Sequence, residues 1–402
     1  MAEQIHSFVE PAFVDDLLKP LLAFNTANPP GDEAAAAKFL CEWMSARGIE
    51  TRYLEPSPGR GNALGIVRGK GGGPTIVLNW HTDTQPIGRG WTTDPLGCEV
   101  RGGRIYGRGT GDMKSGVSAM LAAGAAIAAR PDRLAGNLIL LASADETSGG
   151  YHGVGAVLDA LSEFNADMAV VCEPTLGDVG VGNRGVVWIK AKIIGRGGQA
   201  GKSHTGVNAI SVAAELITAI EREFPDSLSA NPSKYVPNPS VGFGQISGGE
   251  KPNVIAEECT IIIDRRLTIG ETENMVLDQM GEIANMVASA RGASIDLTSE
   301  LFVPAVEVDT TEPIVAECER ALMEITGRTA KLRGLSGFTD AHFFVAGLNV
   351  PAVNFGPWYL TPHPRGSFSD IPDEYAHIDE VILGAKVYER LLLNILSGGT
   401  KP

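Results

Sequence analysis

The chain has 402 residues, of which 44% are hydrophobic and 20% are charged, so it is expected to fold as a globular protein. Its length favours two domains over one. The formal net charge of −15 disfavours nucleic acid as a partner, because an acidic surface repels phosphates, and it means that an anionic substrate needs local cations or a metal ion.

The sequence also indicates where the protein works. No stretch of membrane-spanning length is free of charged residues and glycine, so we expect no membrane partner. Residues 1–16 lack a basic segment followed by an apolar run, which argues against a signal peptide. The five cysteines are scattered and have no C-x-x-C spacing, as is typical of reduced thiols. We therefore predict a cytoplasmic protein.

The first part of the chain alternates helices with apolar strands. Amphipathic helices are predicted over 11–24 and 33–47, with Asn28-Pro29-Pro30-Gly31 between them. The predicted elements that follow are strands at Asn62–Val67, Thr75–Trp80, Asn137–Ala142 and Met168–Cys172, and helices at 116–129 and 154–161. This alternation is typical of an α/β fold with a mostly parallel sheet.

The pattern changes near Arg184 and returns after Thr310. Between them the sequence predicts strands at 186–194, 259–267 and 294–301, and helices at 207–223 and 273–290. After Thr310 it predicts a helix at 312–326, a strand at 350–356 and a helix at 380–396. We therefore predict an α/β catalytic domain formed by residues 1–184 and 301–402. An α+β lid of two helices on an antiparallel sheet is inserted at 185–300.

Residues that can bind metals follow the apolar strands at the points where those strands end. These are His81-Thr82-Asp83, Asp145-Glu146 and Glu173-Pro174, together with Asp112 at the end of a glycine-rich loop. Open α/β sheets bind ligands at the carboxyl ends of their strands. Histidine, aspartate and glutamate are suitable ligands for zinc and similar ions.

Each motif alone has an ordinary structural interpretation. A His-x-Asp at a strand end is more often structural, and Asp145-Glu146 could be a solvated pair. The glycine-rich loop has no GK[ST] sequence and does not match GxGxxG after a strand. Together, however, the four motifs predict a metal site. Asp83 could hold the second nitrogen of His81, and a further carboxylate could act as general base on water.

Several segments carry a resemblance to one family. In chain order they are His81–Pro86, Trp91–Pro95, Gly103–Lys114, Ala144–Glu146, Cys172–Thr175, Gly206–Ile210, Pro252–Ile255, Thr339–Ala341 and Pro372–Tyr375. In these segments the chain resembles the aminoacylase, acetylornithine deacetylase, succinyl-diaminopimelate desuccinylase and carboxypeptidase G family of metallohydrolases. The resemblance spans nearly the whole chain in order.

This resemblance implies the roles of particular residues. It implies a catalytic domain with an inserted lid through which the protein forms a homo-oligomer. It also implies two divalent ions, such as zinc, manganese or cobalt, bridged by Asp112, with His81 and Glu173 completing the first site. Glu146 would be the general base. Asn253 and Arg266 match lid positions that recognise substrate, although an arginine on a surface strand is an equally common reading of Arg266.

The sequence departs from the family pattern at three positions. Thr147 and Asp370 replace a carboxylate and a histidine that bind the second ion, so we predict one tightly bound ion per subunit, with Asp370 as a weak candidate ligand. Gln199 replaces the lid histidine that stabilises an oxyanion. His204 could substitute for that histidine. Two further histidines, His152 and His363, could also compensate, although each is more simply an ordinary surface or packing residue.

These observations predict a hydrolase that uses metal-activated water to cleave a C–N bond in a small molecule that carries a carboxylate. Two substrate classes stay open. One is an N-acyl amino acid, and the other is an aromatic amine of the anthranilate type, as for a nitroanthranilate aminohydrolase. The alternatives from other classes are an inactive relative that serves as a binding or scaffold protein, and a protein with a purely structural metal.

Overall fold

The computed structural model describes residues 7–224, 231–361 and 369–397. These residues form two compact units. The first unit takes its described residues from Met1–Gly182, Val308–Arg333 and Thr339–Pro402, and the second from Asn183–Glu307 and Gly334–Phe338. Each unit has its own sheet and its own helices.

The described strands are β1 (Glu50–Leu54), β2 (Asn62–Val67), β3 (Thr75–His81), β4 (Val100–Arg101), β5 (Arg104–Tyr106), β6 (Asn137–Ser143), β7 (Met168–Val171), β8 (Val179–Asn183), β9 (Gly185–Ile194), β10 (Ser240–Gly248), β11 (Glu258–Leu267), β12 (Ser294–Val303), β13 (Val306–Glu307), β14 (Leu332–Leu335), β15 (Ala352–Phe355) and β16 (Tyr375–His377). The described α-helices are α1 (Lys19–Ala23), α2 (Ala34–Ser45), α3 (Lys114–Ala128), α4 (Leu158–Ser162), α5 (Ala209–Glu223), α6 (Glu273–Arg291), α7 (Pro313–Thr326) and α8 (Ile378–Leu396).

The large sheet of the first unit has the strand order β1-β2-β6-β3-β7-β15-β8. Its central strands β6, β3, β7 and β15 are parallel neighbours, whereas β1, β2 and β8 pair antiparallel at the two sides. β3 and β7 are buried along their whole length, as expected for parallel strands that are covered on both faces. The predicted α/β class with a mostly parallel sheet is therefore confirmed.

Helix α3 follows the glycine-rich loop and lies close to the sheet. A Cβ atom at Gly116 would lie 2.4 Å from Trp358 Nε1 and 2.5 Å from Cys172 Sγ, and one at Gly124 would lie 2.8 Å from Leu140 Cδ1. Such distances are too short for a side chain. The glycines therefore allow the helix that begins just after Asp112 to pack tightly against the strands.

The second unit is a four-stranded antiparallel sheet of order β10-β11-β9-β12 that packs on α5 and α6. Burial alternates along β11, because one face of the sheet is covered by the helices. Ile189, Ile261 and Leu216 lie in the shared core. Asn208 caps α5 by accepting from two main-chain N–H groups, and Thr272 caps α6. This is the predicted arrangement of two helices on an antiparallel sheet.

The structure also contains elements that the sequence patterns did not predict. β4, β5 and β16 have only two or three residues each, and β10 contains three glycines and is largely exposed. The predicted helix at 154–161 is a 3-10 turn, Val154–Val157, followed by α4. Within the described parts of the chain, no helix is both long and apolar enough to span a membrane.

Candidate metal centre

The candidate site lies at the carboxyl ends of β3, β6 and β7. In the strand registers His81 is opposite Ser143, and Asn79 is opposite Val171. The residues that follow these strands therefore emerge at the same edge of the sheet. There His81, Glu146 and Glu173 each offer one ligand atom, and these atoms all lie within 4.8 Å of one another. All three side chains are buried.

His81 is held from both of its ring nitrogens. Its Nδ1 lies 2.9 Å from the main-chain oxygen of Asp83 and 3.5 Å from Asp83 Oδ1. Its Nε2 lies 3.0 Å from Asp112 Oδ1 and 3.8 Å from Glu146 Oε2. Burial alone would lower the pKa of His81, but Asp112, Asp83 and Glu146 outweigh it and raise that pKa well above its ordinary value. With Nδ1 donating to the main-chain oxygen of Asp83, Nε2 is the nitrogen that would bind a cation in place of its contact with Asp112.

The metal-free protein disfavours the ionised form of the two glutamates. Burial is the main cause that raises the pKa of both Glu146 and Glu173, and their neighbouring carboxylates raise it further. Glu173 Oε1 is buried and has no hydrogen-bond partner among the described residues. A buried histidine beside surplus carboxylates with uncommitted oxygens is the donor set that a divalent ion requires, so the residues present fit such an ion.

Asp112 adjoins this group through His81. The glycine-rich loop places its carboxylate 3.0 Å from His81 Nε2, and the side chain is 28% exposed. The compact group itself consists of His81, Glu146 and Glu173. The structure thus brings the predicted ligands His81 and Glu173 together with the predicted base, and it sets Asp112 beside the imidazole.

Asp83 is the most heavily bonded carboxylate of the site. Its Oδ2 accepts from Thr147 Oγ1 at 2.6 Å, from Thr147 N at 3.1 Å and from Asn28 Nδ2 at 3.0 Å. Its Oδ1 accepts from Glu146 N at 3.1 Å. Burial alone would raise the pKa of Asp83, but His81, Thr147 and Asn28 lower it to about 2. Asp83 therefore stays ionised and ties His81 to the turn that carries Glu146.

That turn is held by a second set of polar contacts. Asp145 has a left-handed backbone, φ 68°, and its carboxylate accepts from His152 N at 3.1 Å and from Asn28 Nδ2 at 3.3 Å. Arg60 lies 3.3 Å from the same carboxylate and 2.7 Å from Glu33. Burial, and then Asp83, raises the pKa of Glu33 to about 7. The sequence patterns did not assign Asn28, Glu33 or Arg60 to the site, and Asn28-Pro29-Pro30-Gly31 was identified only as the segment between two predicted helices.

Asp340 is another residue that the sequence patterns did not assign to the site. It is buried, its Oδ2 accepts from Ser143 Oγ at 2.8 Å, and its Oδ1 has no hydrogen-bond partner in the described part of the chain. Burial raises its pKa to about 7. The signal that could have identified it is Thr339-Asp340-Ala341, one of the segments that carry the family resemblance.

The two departures at positions that bind the second ion, Thr147 and Asp370, are both engaged by other residues of the protein. Thr147 donates its hydroxyl hydrogen to Asp83, as described above. Asp370 has φ 63°, and its main-chain N–H donates to Glu374 Oε2 at 3.0 Å. Asp370 Oδ1 lies 3.9 Å from Arg108 Nη1, and Arg108 in turn forms a 2.7 Å ion pair with Glu374. Burial, and then Asp112, raises the pKa of Asp370.

The predicted substrate-binding residues belong to the second unit. Gln199 forms an isolated antiparallel bridge with Val254, and Asn253 next to it accepts from Ala200 N at 3.1 Å. His204 is exposed in the 3-10 segment Ala200–Thr205. Arg266 on β11 donates to both oxygens of Asp264, at 2.6 and 2.9 Å.

The other two histidines considered as compensating groups are His152 and His363. His152 Nδ1 lies 3.0 Å from Ser57 Oγ, which places the ring in an ordinary surface contact. His363 lies outside the described residues.

Residues 77–394 match the family described as Peptidase family M20/M25/M40. The chain is 27% identical over 385 residues to a succinyl-diaminopimelate desuccinylase from Acidiphilium cryptum, which covers 94% of this chain and 96% of that protein. It is 29% identical over 361 residues to an acetylornithine deacetylase from Proteus mirabilis, which covers 88% and 89%.

A solved structure shows the same fold. A tripeptidase from Staphylococcus aureus superposes with a TM-score of 0.77 and 20% identity, and the match covers 97% of this chain and 99% of that one. At this level of identity the likeness supports the fold alone.

Proposed function

The chain belongs to peptidase family M20/M25/M40 and is a metal-dependent hydrolase of C–N bonds, and from this premise we propose that it cleaves a C–N bond in a small molecule that carries a carboxylate. The observation that supports the site is the compact buried group of His81, Glu146 and Glu173. In it, a buried carboxylate oxygen of Glu173 has no hydrogen-bond partner among the described residues, and the raised pKa of Glu173 shows that its ionised form lacks the compensation that a cation would supply.

The residues that would hold a divalent ion are His81, Glu173 and Asp112. Nitrogen and carboxylate donors together suit zinc, manganese or cobalt. When bound, the ion supplies Lewis-acid activation of water and of the bond under attack. Asp83 keeps the imidazole of His81 oriented, because the main-chain oxygen of Asp83 accepts from Nδ1 and its carboxylate lies nearby.

Glu146 would act as the general base and then as the acid. It takes one proton from the attacking water, the oxygen of that water bonds to the carbon, and the C–N bond breaks. The departing nitrogen then receives the proton from Glu146. The turn places Glu146 Oε2 3.8 Å from His81 Nε2, so the base lies beside the group that would hold the ion. Burial raises the pKa of Glu146, which brings the carboxylate closer to the range in which a general base works best.

We further propose that each subunit holds one ion tightly. At the position of a second ion, Thr147 offers a neutral hydroxyl whose hydrogen already goes to Asp83. Asp370 could replace the family histidine as a carboxylate ligand, but Arg108 lies 3.9 Å from it. A nearby guanidinium competes with a cation for the same carboxylate.

We propose two candidate classes of substrate. The desuccinylase and the deacetylase among the relatives favour an N-acyl amino acid. The second candidate, an aromatic amine of the anthranilate type, is favoured by Gln199, which carries no charge where the family has a histidine that stabilises an oxyanion. Negative charge that develops on an aromatic ring depends less on such a donor.

The second unit supports a further proposal, which is self-association of a cytoplasmic enzyme. Strand β10 lies at an edge of its sheet and is largely exposed, with Ile246 53% exposed and Val254 44% exposed nearby. An open edge strand with apolar side chains is a pairing surface for a second copy. A strictly monomeric mass in solution would contradict this proposal.

A substrate screen tests the function. N-acyl amino acids and aminobenzoates are incubated with the protein and manganese, zinc or cobalt, and release of the amino acid or of ammonia is measured. We expect turnover with one class and none with Glu146→Gln. Metal binding without turnover of any substrate of these classes would favour the inactive binding protein, and absence of metal binding would overturn the proposal.

A further inference from the structure

Thr147 lies where the family resemblance predicts a metal-binding carboxylate, but in the structure its side chain forms a hydrogen bond to Asp83. Its hydroxyl donates to Asp83 Oδ2 at 2.6 Å, and its main-chain N–H donates to the same oxygen at 3.1 Å. Asn28 Nδ2 donates to this oxygen as well, at 3.0 Å. The hydroxyl bond is short, as hydrogen bonds to ionised carboxylates are.

Asp83 links the proposed ligand His81 to the proposed base Glu146. It contacts His81 through its main-chain oxygen at 2.9 Å, and it accepts from the main-chain N–H of Glu146 at 3.1 Å. Asp83 is fully buried. Its Oδ1 lies 3.5 Å from His81 Nδ1, so rotation of this side chain would break the bond to Glu146 N and remove the carboxylate from beside the imidazole.

A carboxylate at position 147 could not make this contact. Ionised glutamate only accepts hydrogen bonds, so it would face the ionised Asp83 without a hydrogen between them. In an arrangement with two ions, the second cation neutralises that repulsion. With threonine, the hydroxyl supplies the missing donor directly.

We propose that Thr147 is a positioning residue for the one-ion site, in which its hydroxyl locks Asp83 and so keeps His81 and Glu146 oriented without a second cation. This inference rests on the proposed function and deepens it. Thr147 is then a working part of this site and not merely a lost ligand. Asn28 also donates to Asp83 Oδ2 and so helps to hold this carboxylate, although its side chain bonds to Asp145 and Arg60 as well.

The test compares Thr147→Val with Thr147→Ser. Valine keeps the shape and removes the hydroxyl, whereas serine keeps the hydroxyl. The affinity for manganese and for cobalt is measured by competition with a fluorescent chelator, and kcat and KM are measured with the best substrate of the screen. Loss of a residue that orients a metal ligand typically costs about 10–100-fold in metal affinity or activity. We expect that loss for valine, mainly in kcat, and values within about 3-fold of wild type for serine.

Thr326→Val is the matched control. Thr326 is partly buried, and its hydroxyl donates to Leu322 O at 2.7 Å on α7, away from Asp83. This variant should keep wild-type metal affinity and activity. Circular dichroism checks that each variant is folded, and Thr147→Ala replaces the valine variant if valine prevents folding.

The outcomes separate the inference from the function. If the valine variant binds metal and turns over like wild type, the inference is wrong and the proposed function stands. If the serine variant is impaired as strongly as valine, the shape of the side chain matters and the hydroxyl lock is overturned. If wild-type protein binds no ion, the proposed function fails first and the inference falls with it.

Discussion

The candidate metal centre has two groups of residues whose polar atoms the protein engages to different degrees: a first side, His81, Glu146 and Glu173, and a second side, Thr147 and Asp370. On the side formed by the ends of β3, β6 and β7, ligand atoms of His81, Glu146 and Glu173 converge, and Glu173 Oε1 has no partner among the described residues. On the other side, Thr147 donates to Asp83, and Asp370 lies beside Arg108. The first side therefore has a ligand atom available to a metal ion, whereas the polar groups of the second side already contact other residues of the protein.

This difference shows that residue type alone does not define a metal site. Asp370 is a carboxylate, yet a guanidinium lies 3.9 Å from it and its side chain is half exposed. Glu173 is also a carboxylate, but it is buried, and its neighbours Asp112 and Asp340 raise its pKa. A buried and unbalanced charge gains much from a cation, and a solvated or paired charge gains little.

The largest expected effect tests the role of the base on the first side. Glu146→Gln removes the proton acceptor and keeps the shape, so kcat should fall by about 10²–10⁴-fold. Metal content should change little, because the proposed ligands His81, Asp112 and Glu173 remain. Steady-state kinetics and elemental analysis measure the two quantities. A near-normal kcat would show that another group takes the proton.

The sequence predicted the first side of the candidate metal centre better than the contacts around it, for a physical reason. Apolar runs predicted β3, β6 and β7, and parallel strands bring their carboxyl ends to one edge, so the proximity of His81, Glu146 and Glu173 followed from local patterns. The residues that hold the surrounding carboxylates depend on long-range contacts. Asn28 meets Asp83 across 55 positions, and Asp340 meets Ser143 across 197. No local pattern encodes such contacts.

The sequence also does not predict that Thr147 donates its hydroxyl hydrogen to Asp83. This bond depends on the left-handed turn at Asp145, which places Oγ1 and the main-chain N–H of Thr147 on the same oxygen of Asp83. Threonine was therefore interpreted only as a poor ligand. Similarly, Arg266 matched a substrate-binding position, but the sequence did not reveal that Asp264 engages its guanidinium.

The next prediction concerns a double variant that gives the second side the metal ligands of the family pattern. Thr147→Glu combined with Asp370→His restores both ligand types of the family pattern, so a second ion should bind beside Asp112. Elemental analysis after dialysis should rise from one equivalent per subunit to two. Wild-type protein that already keeps two equivalents would contradict the one-ion proposal, and a double variant that keeps only one would show that other residues block the second site.

The pH dependence of stability provides a third, smaller test. The pKa values of Glu146 and Glu173 are raised above their ordinary 4.5, so without metal the folded state binds more protons than the unfolded state above that pH. Stability contributed by their protonated forms is present at low pH and is lost as pH rises, by up to about 1.4 kcal/mol per pH unit for each group. The melting temperature with chelator should therefore fall between about pH 5 and about pH 8.

Added manganese distinguishes the cause of that fall. An ion that binds the ionised carboxylates competes with protons, so its stabilising effect should be larger at the higher pH. Asp83 does not contribute in this range, because its pKa is lowered to about 2. An equal effect of manganese at both pH values would assign the pH dependence to carboxylates away from the ligand group, such as Glu33 or Glu374, whose pKa values burial raises to about 7.

The smallest expected effect concerns Asp370. Asp370→Asn keeps the shape and the main-chain donor to Glu374 but removes the charge. The Asp370 carboxylate is half exposed and the guanidinium of Arg108 lies 3.9 Å away, so this ion pair contributes about 0–1 kcal/mol. Metal affinity and kcat should therefore stay within about 5-fold of wild type. A loss of metal affinity well beyond that range would show that Asp370 binds the ion, together with the ligands of the first side.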